Sequence, residues 1–576
     1  MERAESSSGV AETCPGSEKH WLRTGFTATQ LRRLQVLRLH LSSLHEPTHL
    51  VIQSPCRASA SHPEAKVSKA ADAIALIPDS AVITVAGFVG LGFPEYLVTA
   101  LRKRFDSTQH PRNLHIVAVA ACGDGKGRGL DELAVDGLVS TATFGWAGLS
   151  PKLLEMITAK KIDAWNLPLG VVSHLLRDTA ARRAGPVTHI GLGTFVDPRE
   201  QGGKLTSPDQ ADIVHLVQMG KKQLLWYEAP PKVHAALLRG TTADLDGNIS
   251  FEKEALYLDS LNMAMAAHNS GGVVIVQVER IVDRGTMNTR NAHIPGAIVD
   301  KIVLAPAEKH WMHLGSQHYD GSLSGEVRAP ISSIVALPMN ERKIIAHRTM
   351  LMIDRPHAIV NLGIGMPEGV ATICTTHGHH NPSALPINLS TEAGSIGGVP
   401  TGGLRFGASH NAAAHMPCAS MIDFYNGGGV DVACLGMAEV DEEGNVNVSY
   451  FPPRTPGCGG FIDISQTAKK VIFVGSFTSG GLKVHLEGGK LQIDQEGRSR
   501  KFTKKVQQKT FAASSSNGRP IMYVTERAVF KLVEGKGLEL VEVAPGVDIQ
   551  KDVLDLMGFR PLMPQVKDMD RRCFSK

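Results

Sequence analysis

Residues 389–398 read Leu389-Ser390-Thr391-Glu392-Ala393-Gly394-Ser395-Ile396-Gly397-Gly398. A strand-forming run over 384–390 ends here, and a glycine-rich turn begins at once. A glutamate is a poor choice for a tight backbone corner unless its carboxylate is used. The glycines let a ligand or another segment approach it closely. A second signal lies upstream, where Gly363, Ile364, Gly365, Met366, Pro367 and Glu368 spell G-x-G-x-P-E. This reads as a strand-to-helix turn, with Pro367 as the first helical residue. Such a turn offers backbone N–H groups to a phosphate or a carbonyl. Together the two segments predict a carboxylate nucleophile beside a loop that binds the anionic tail of a cofactor.

The same pattern occurs earlier. Residues 81–101 carry a β-branched run, then Gly90, Gly92, Pro94 and Glu95 at the same spacing, then a helical pattern. Downstream of each copy, an apolar run ends in an acidic turn tipped by Gly247-Asn248 or Gly444-Asn445. Apolar strands follow at 273–276 and 471–474. Three features in one order mark a duplicated domain rather than a short solenoid repeat. Strands alternating with helical stretches predict an α/β chain of two homologous, open, mainly parallel-sheet domains fused together. We place an N-terminal extension at 1–63, a first domain at 64–335 and a second at 336–576. The first domain carries extra residues between about 120 and 215. Parallel sheets of this kind bind ligands at the C-terminal ends of their strands, where both G-x-G-x-P turns and Glu392 lie.

Composition narrows the function. The chain has 576 residues, 43% hydrophobic and 20% charged, with a formal net charge of +4. That charge is too small and too dispersed for a nucleic-acid binder. No run of 18 apolar residues exists to span a membrane. The eight cysteines are scattered, with no C-x-x-C pair, which fits a reducing compartment and gives no zinc site. His377, His379 and His380 cluster without a carboxylate or cysteine at ligand spacing, so no metal site is assigned. Acidic turns at Asp244/Asp246 and Asp441/Glu443 read as hairpin tips. Residues 19–45 are basic and amphipathic like a transit peptide, whereas Glu2, Glu5, Glu12 and Glu18 are not. The localisation therefore stands as mitochondrial or cytoplasmic.

From about 65 to 565 the chain resembles the family I coenzyme A transferases of the short-chain acyl-CoA:acetate or propionate type. The resemblance rests on residues 83–88 with Gly92-Phe93-Pro94, on Thr391-Glu392-Ala393-Gly394, and on Gly191–Pro198, Phe424–Gly429, Gly457–Ile464 and Thr525–Phe530. Ala393 stands where many members carry Asn or Thr. The resemblance implies that Glu392 attacks an acyl-CoA, passing through an anhydride to a glutamyl-CoA thioester. It implies that the loop of Gly457, Gly459 and Gly460 lies beside Glu392, with Gly459 the oxyanion donor and Gly457 and Gly460 binding the coenzyme. Gly363, Ile364, Gly365, Met366 and Pro367 would then hold the pantetheine or pyrophosphate. No permanently bound cofactor and no metal are implied. The partners are acyl-CoA and short carboxylic acids, and the chain is expected to form a homodimer or homotetramer.

Three other readings remain open. One is a 3-oxoacid transferase of the succinyl-CoA:acetoacetate type, and another is a non-catalytic acyl-CoA-binding protein, which an intact Glu392 disfavours. The third is a sugar-phosphate isomerase, disfavoured by the lack of a second acid/base group near Glu392. The dinucleotide fingerprint, the phosphate loop and the serine elbow are all missing from the sequence.

Overall fold

The computed structural model describes residues 66–330, 332, 337–378 and 386–575. The N-terminal extension and the 335/336 boundary lie outside them, as do the side chains of the His377–His380 cluster.

The first sheet has seven strands, all parallel. In chain order they are β1 (Val82–Val85), β2 (Leu114–Ala118), β3 (Val139–Phe144), β4 (Asp163–Asn166), β5 (Ala235–Arg239), β6 (Val273–Val278) and β7 (Lys301–Leu304). In space they run β7-β6-β5-β1-β2-β3-β4. Their β-branched composition suits a sheet covered on both faces. Every residue of β5 is buried, and so is all of β6 except its first.

The second sheet has β8 (Ile359–Leu362), β9 (Asn388–Ser390), β10 (Ser395–Ile396), β11 (Ala414–His415), β12 (Val432–Gly436), β13 (Lys470–Val474) and β14 (Ile521–Val524). Its first strands lie in the order β11-β10-β9-β8-β12-β13-β14. Three further strands, Ala528–Val533, Gly537–Val543 and Lys567–Asp568, extend it beyond β14. The five parallel strands β9-β8-β12-β13-β14 repeat the order β2-β1-β5-β6-β7. Helix α1 (Glu95–Thr108) joins β1 to β2, and α3 (Glu368–Gly378) joins β8 to β9. The two G-x-G-x-P turns thus follow equivalent strands, as a duplicated α/β chain requires. Helix α3 begins at Glu368, one residue after the proline expected to open it.

The acidic turns also correspond. Asp244 accepts from Asp246 and Asn248 N–H, and Asp441 accepts from Glu443 and Asn445 N–H. Each carboxylate closes its own turn, and Asp441 also accepts from Val506 N–H at 3.3 Å. Strands β3 and β4 account for part of the first half's extra length. An antiparallel three-stranded sheet of Val187–Thr188, Val214–Met219 and Lys222–Tyr227 adds more.

The two sheets share apolar core. One buried cluster holds Val171, Leu175 and Ile190 together with Ala393, Phe406 and Ile462. Phe88 and Phe406 stack across it with ring centroids 6.3 Å apart. Among the described residues, no helix is long and apolar enough to cross a membrane.

Candidate active site

Glu392 stands two residues beyond β9. Thr391 N–H donates to Ser395 O at 3.0 Å, Gly394 N–H to Thr391 O at 3.1 Å, and the Thr391 hydroxyl to Gly407 O at 2.6 Å. Gly394 has φ +120°, and a methyl there would overlap the Met416 carbonyl, so the corner needs glycine. Ala393 is fully buried, and added bulk at the adjoining Gly407 would strike both it and Phe88.

The Glu392 side chain is 6% exposed, and its Oε2 has no hydrogen-bond partner. Burial pushes the carboxyl up to about 7, opposed by its own backbone N–H and the Asn361 amide. A buried carboxylate with an oxygen left unpaired is costly to keep. Below it, the Tyr425 hydroxyl donates to Ser390 Oγ at 2.8 Å, and Asn361 Nδ2 donates to Tyr425 Oη at 3.3 Å. The Cys418 thiol approaches Glu392 O at 3.6 Å. This network fixes the base of the turn and leaves the carboxyl facing open space.

That space is a cavity of about 310 Å³ lined from both halves of the chain. Phe88, Val89, Trp146 and Leu169 come from the first half. Glu392, Phe406 and residues 457–460 come from the second. Of the predicted cradle, Gly363, Ile364 and Met366 line it, whereas Gly365 and Pro367 do not. The Gly365 N–H donates to the Glu368 carboxylate at 2.8 Å. That turn therefore carries its own anion, which opposes a pyrophosphate there.

The segment from Pro456 to Asp463 is stitched to the first half bond by bond. Ala147 N–H donates to Pro456 O at 2.8 Å, Cys458 N–H to Asn166 Oδ1 at 3.0 Å, and Leu169 N–H to Gly459 O at 2.9 Å. Gly170 N–H donates to Asp463 Oδ2 at 3.1 Å. The start of helix α2 (Leu169–Ala180) is thereby capped by residues of the other half. Asn166 completes the junction by donating to Phe144 O at 2.9 Å and Gly145 O at 2.7 Å.

This stitching corrects the role expected of Gly459. Its N–H already donates to Gly145 O at 2.8 Å, so it is not available to an oxyanion. Gly457 packs against Asn166 and Gly145, on the side of the first half. Gly460 is the glycine that meets Glu392. A methyl there would lie 3.2 Å from Glu392 Cγ and 3.5 Å from Oε1. Among the described residues the Gly460 N–H has no acceptor within the fold, and neither has the Val89 N–H. Val89 lines the same cavity at φ +58°, a left-handed conformation that is costly for a β-branched residue.

Trp146, Asn166, Phe406 and Asp463 were not singled out by sequence reasoning. Trp146 carried a signal, since it stands between Gly145 and Gly148 just past β3. Asn166 carried none, and Asp463 stood only as one member of the Gly457–Ile464 stretch, because the importance of each lies in a partner nearly 300 residues away.

A buried carboxylate in an apolar cavity, bordered by uncommitted backbone N–H groups, is equipped for covalent transfer of an acyl group. The coenzyme A transferase profile matches residues 67–305. Over 520 residues the chain is 42% identical to the caffeate CoA-transferase of Acetobacterium woodii, covering 89% of this chain and 98% of that protein. It is 42% identical over 519 residues to the acetate CoA-transferase YdiF of Escherichia coli K12, covering 88% and 95%. The crystal structure of acyl-CoA transferase YdiF from E. coli O157:H7, in a thioester complex with CoA, superposes with a TM-score of 0.83. It shares 40% identity over 89% of this chain and 96% of that one. The chain belongs to the coenzyme A transferase family and is a CoA-transferase.

Proposed function

We propose that the enzyme moves coenzyme A between short-chain acyl-CoA and free acids of the acetate and propionate type, with Glu392 as the nucleophile. The observation that carries this reading is the buried, unpaired Glu392 carboxyl facing an apolar cavity built from both halves. The names of the acetate- and caffeate-transferring relatives support the substrate class.

A carboxylate oxygen of Glu392 attacks the thioester carbonyl, the C–S bond breaks, and CoA leaves as thiolate. This leaves an acyl-glutamyl anhydride. The thiolate then attacks the glutamyl carbonyl and releases the first acid, forming a glutamyl-CoA thioester. The incoming acid reverses both steps, so thioester energy is conserved without ATP. Each attack places negative charge on a carbonyl oxygen. Gly460 and Val89 N–H are the donors we assign to it, because both are uncommitted and both border the cavity.

Incubation with acetyl-CoA in the absence of acceptor acid, then borohydride reduction and digestion, should locate a modification on the peptide bearing Glu392. Normal transfer with an unmodified Glu392 peptide would refute the assignment.

We further propose that the catalytic unit comprises two domains, 64–335 and 336–576, and that residues 1–63 are dispensable. A chain starting at Glu64 should keep its transfer rate within about twofold, since among the described residues the site draws on none before Phe88. Loss of folding on truncation would show that the extension packs on the core. A homodimer or homotetramer is our reading of the assembly. It is supported by the exposed apolar side chains Val187, Leu216 and Met219 on the small three-stranded sheet, and light scattering would test it.

A further inference from the structure

Beside the Glu392 corner the cavity is walled by an aromatic pair that joins the two halves of the chain. Phe88 and Phe406 stack with ring centroids 6.3 Å apart and planes 23° from parallel. Gly407 lets this pair close on the corner, since a methyl there would lie 2.9 Å from the Phe88 ring and 3.0 Å from Ala393 Cβ. The Thr391 hydroxyl donates to Gly407 O at 2.6 Å, so the residues on both sides of Glu392 grip the segment that carries Phe406. That segment is also braced within itself. The Phe406 N–H donates to Gly403 O at 3.1 Å, and the Thr401 hydroxyl donates to Arg405 O at 2.6 Å. The Phe406 ring is thus held on a fixed turn.

Exposure tells the two ends of the cavity apart. Ile364 and Phe451, 42% and 37% exposed, mark its mouth. Phe88, Val89, Ala120, Leu169 and Phe406, each 2–4% exposed, form a closed end without a polar side chain. A cavity of about 310 Å³ is small for a ligand pocket and cannot enclose a whole coenzyme A. The coenzyme must therefore enter by the mouth with its bulk outside. The acyl group lies across the C–S bond from the coenzyme, so it points inward, toward the aromatic pair. An apolar wall suits a hydrocarbon chain, and a braced ring limits how long that chain can be.

We propose that Phe406 sets the length of the acid this enzyme accepts. Its ring, backed by Phe88, fills the space into which a longer acyl chain would extend. This rests on the reading of Glu392 as the nucleophile and of short acids as the substrates. One methylene in a fitted apolar pocket changes kcat/KM by about 10- to 200-fold. Cutting the ring back to a methyl opens an apolar space of the kind that stays dry and takes up hydrocarbon.

The test uses the full chain as wild type, Phe406→Ala and Phe406→Leu, with acetyl-CoA as donor and propionate or hexanoate as acceptor. The hexanoate-to-propionate ratio of kcat/KM should rise about 10-fold or more in Phe406→Ala and by a smaller factor in Phe406→Leu. Affinity for free CoA, measured by calorimetry, should stay within about threefold of wild type, because the coenzyme occupies the other end. A ring that serves only the fold would lower transfer to both acids together. An unmoved ratio would therefore overturn the proposal. Phe406→Leu keeps most of the buried apolar contact, so its ratio decides the matter if Phe406→Ala does not fold. A wild type that favours hexanoate over propionate would refute the short-acid reading. A wild type that favours propionate, with the ratio unmoved in the variants, would refute the role of Phe406 alone.

Discussion

Glu392→Gln should abolish transfer, with a loss of the order of 10⁴-fold or more, because an amide cannot form the anhydride. The variant keeps shape and volume, so it should fold and still bind CoA. Wild-type activity should rise as pH rises through about 7, where burial has placed the Glu392 carboxyl, since only the ionised form attacks. The same shift bears on stability. Below the ordinary carboxyl value of 4.5, folded and unfolded chains both hold the proton and nothing is gained or lost. Between 4.5 and about 7 the unfolded chain releases it first, so raising the pH weakens the fold. Glutamine removes that penalty. The variant should therefore melt higher than wild type at pH 8 and match it near pH 4. Transfer surviving in Glu392→Gln, or a melting difference independent of pH, would contradict the role of this buried carboxyl.

Gly460→Ala should lower kcat by about 10²- to 10³-fold while changing CoA affinity only a few-fold. The backbone is not the obstacle. Gly460 has φ −79° and ψ 3°, which alanine adopts freely. The obstacle is the new methyl, 3.2 Å from Glu392 Cγ and 3.3 Å from Ile464 Cδ1, which must push the carboxyl or its facing N–H out of place. Gly459→Ala provides the contrast. Its methyl meets nothing closer than Trp146 Cβ at 3.8 Å, but φ is +56°. That substitution should cost about 1–2 kcal/mol of stability through left-handed strain and leave kcat within a few-fold. If the two variants exchange these effects, the donor facing Glu392 has been misassigned. Steady-state kinetics with acetyl-CoA and propionate, together with thermal melting, separates the outcomes.

Much of this molecule was legible in its residues. The paired G-x-G-x-P-E turns fall after β1 and β8, and the Gly-Asn acidic turns fall after β5 and β12. Glu392 sits on a corner that glycine alone can close. Such features are local: β-branched runs, turns that need φ above zero, and a proline before a helix each constrain only neighbours in the chain. Residues on the second sheet's strand ends could therefore be named, but their partners could not. Gly457, Gly459 and Gly460 look alike in sequence. Their differing roles depend on Asn166, Gly145 and Glu392, which the fold brings to them from other segments.

Residue patterns alone specify a duplicated, mainly parallel α/β chain with a carboxylate at one strand end. Short-range backbone sterics and side-chain periodicity suffice for that. Which N–H groups are spent, and which border the cavity beside Glu392, follow from the assembled fold. Those are matters of hydrogen-bond accounting and burial between segments nearly 300 residues apart, and no local pattern encodes them.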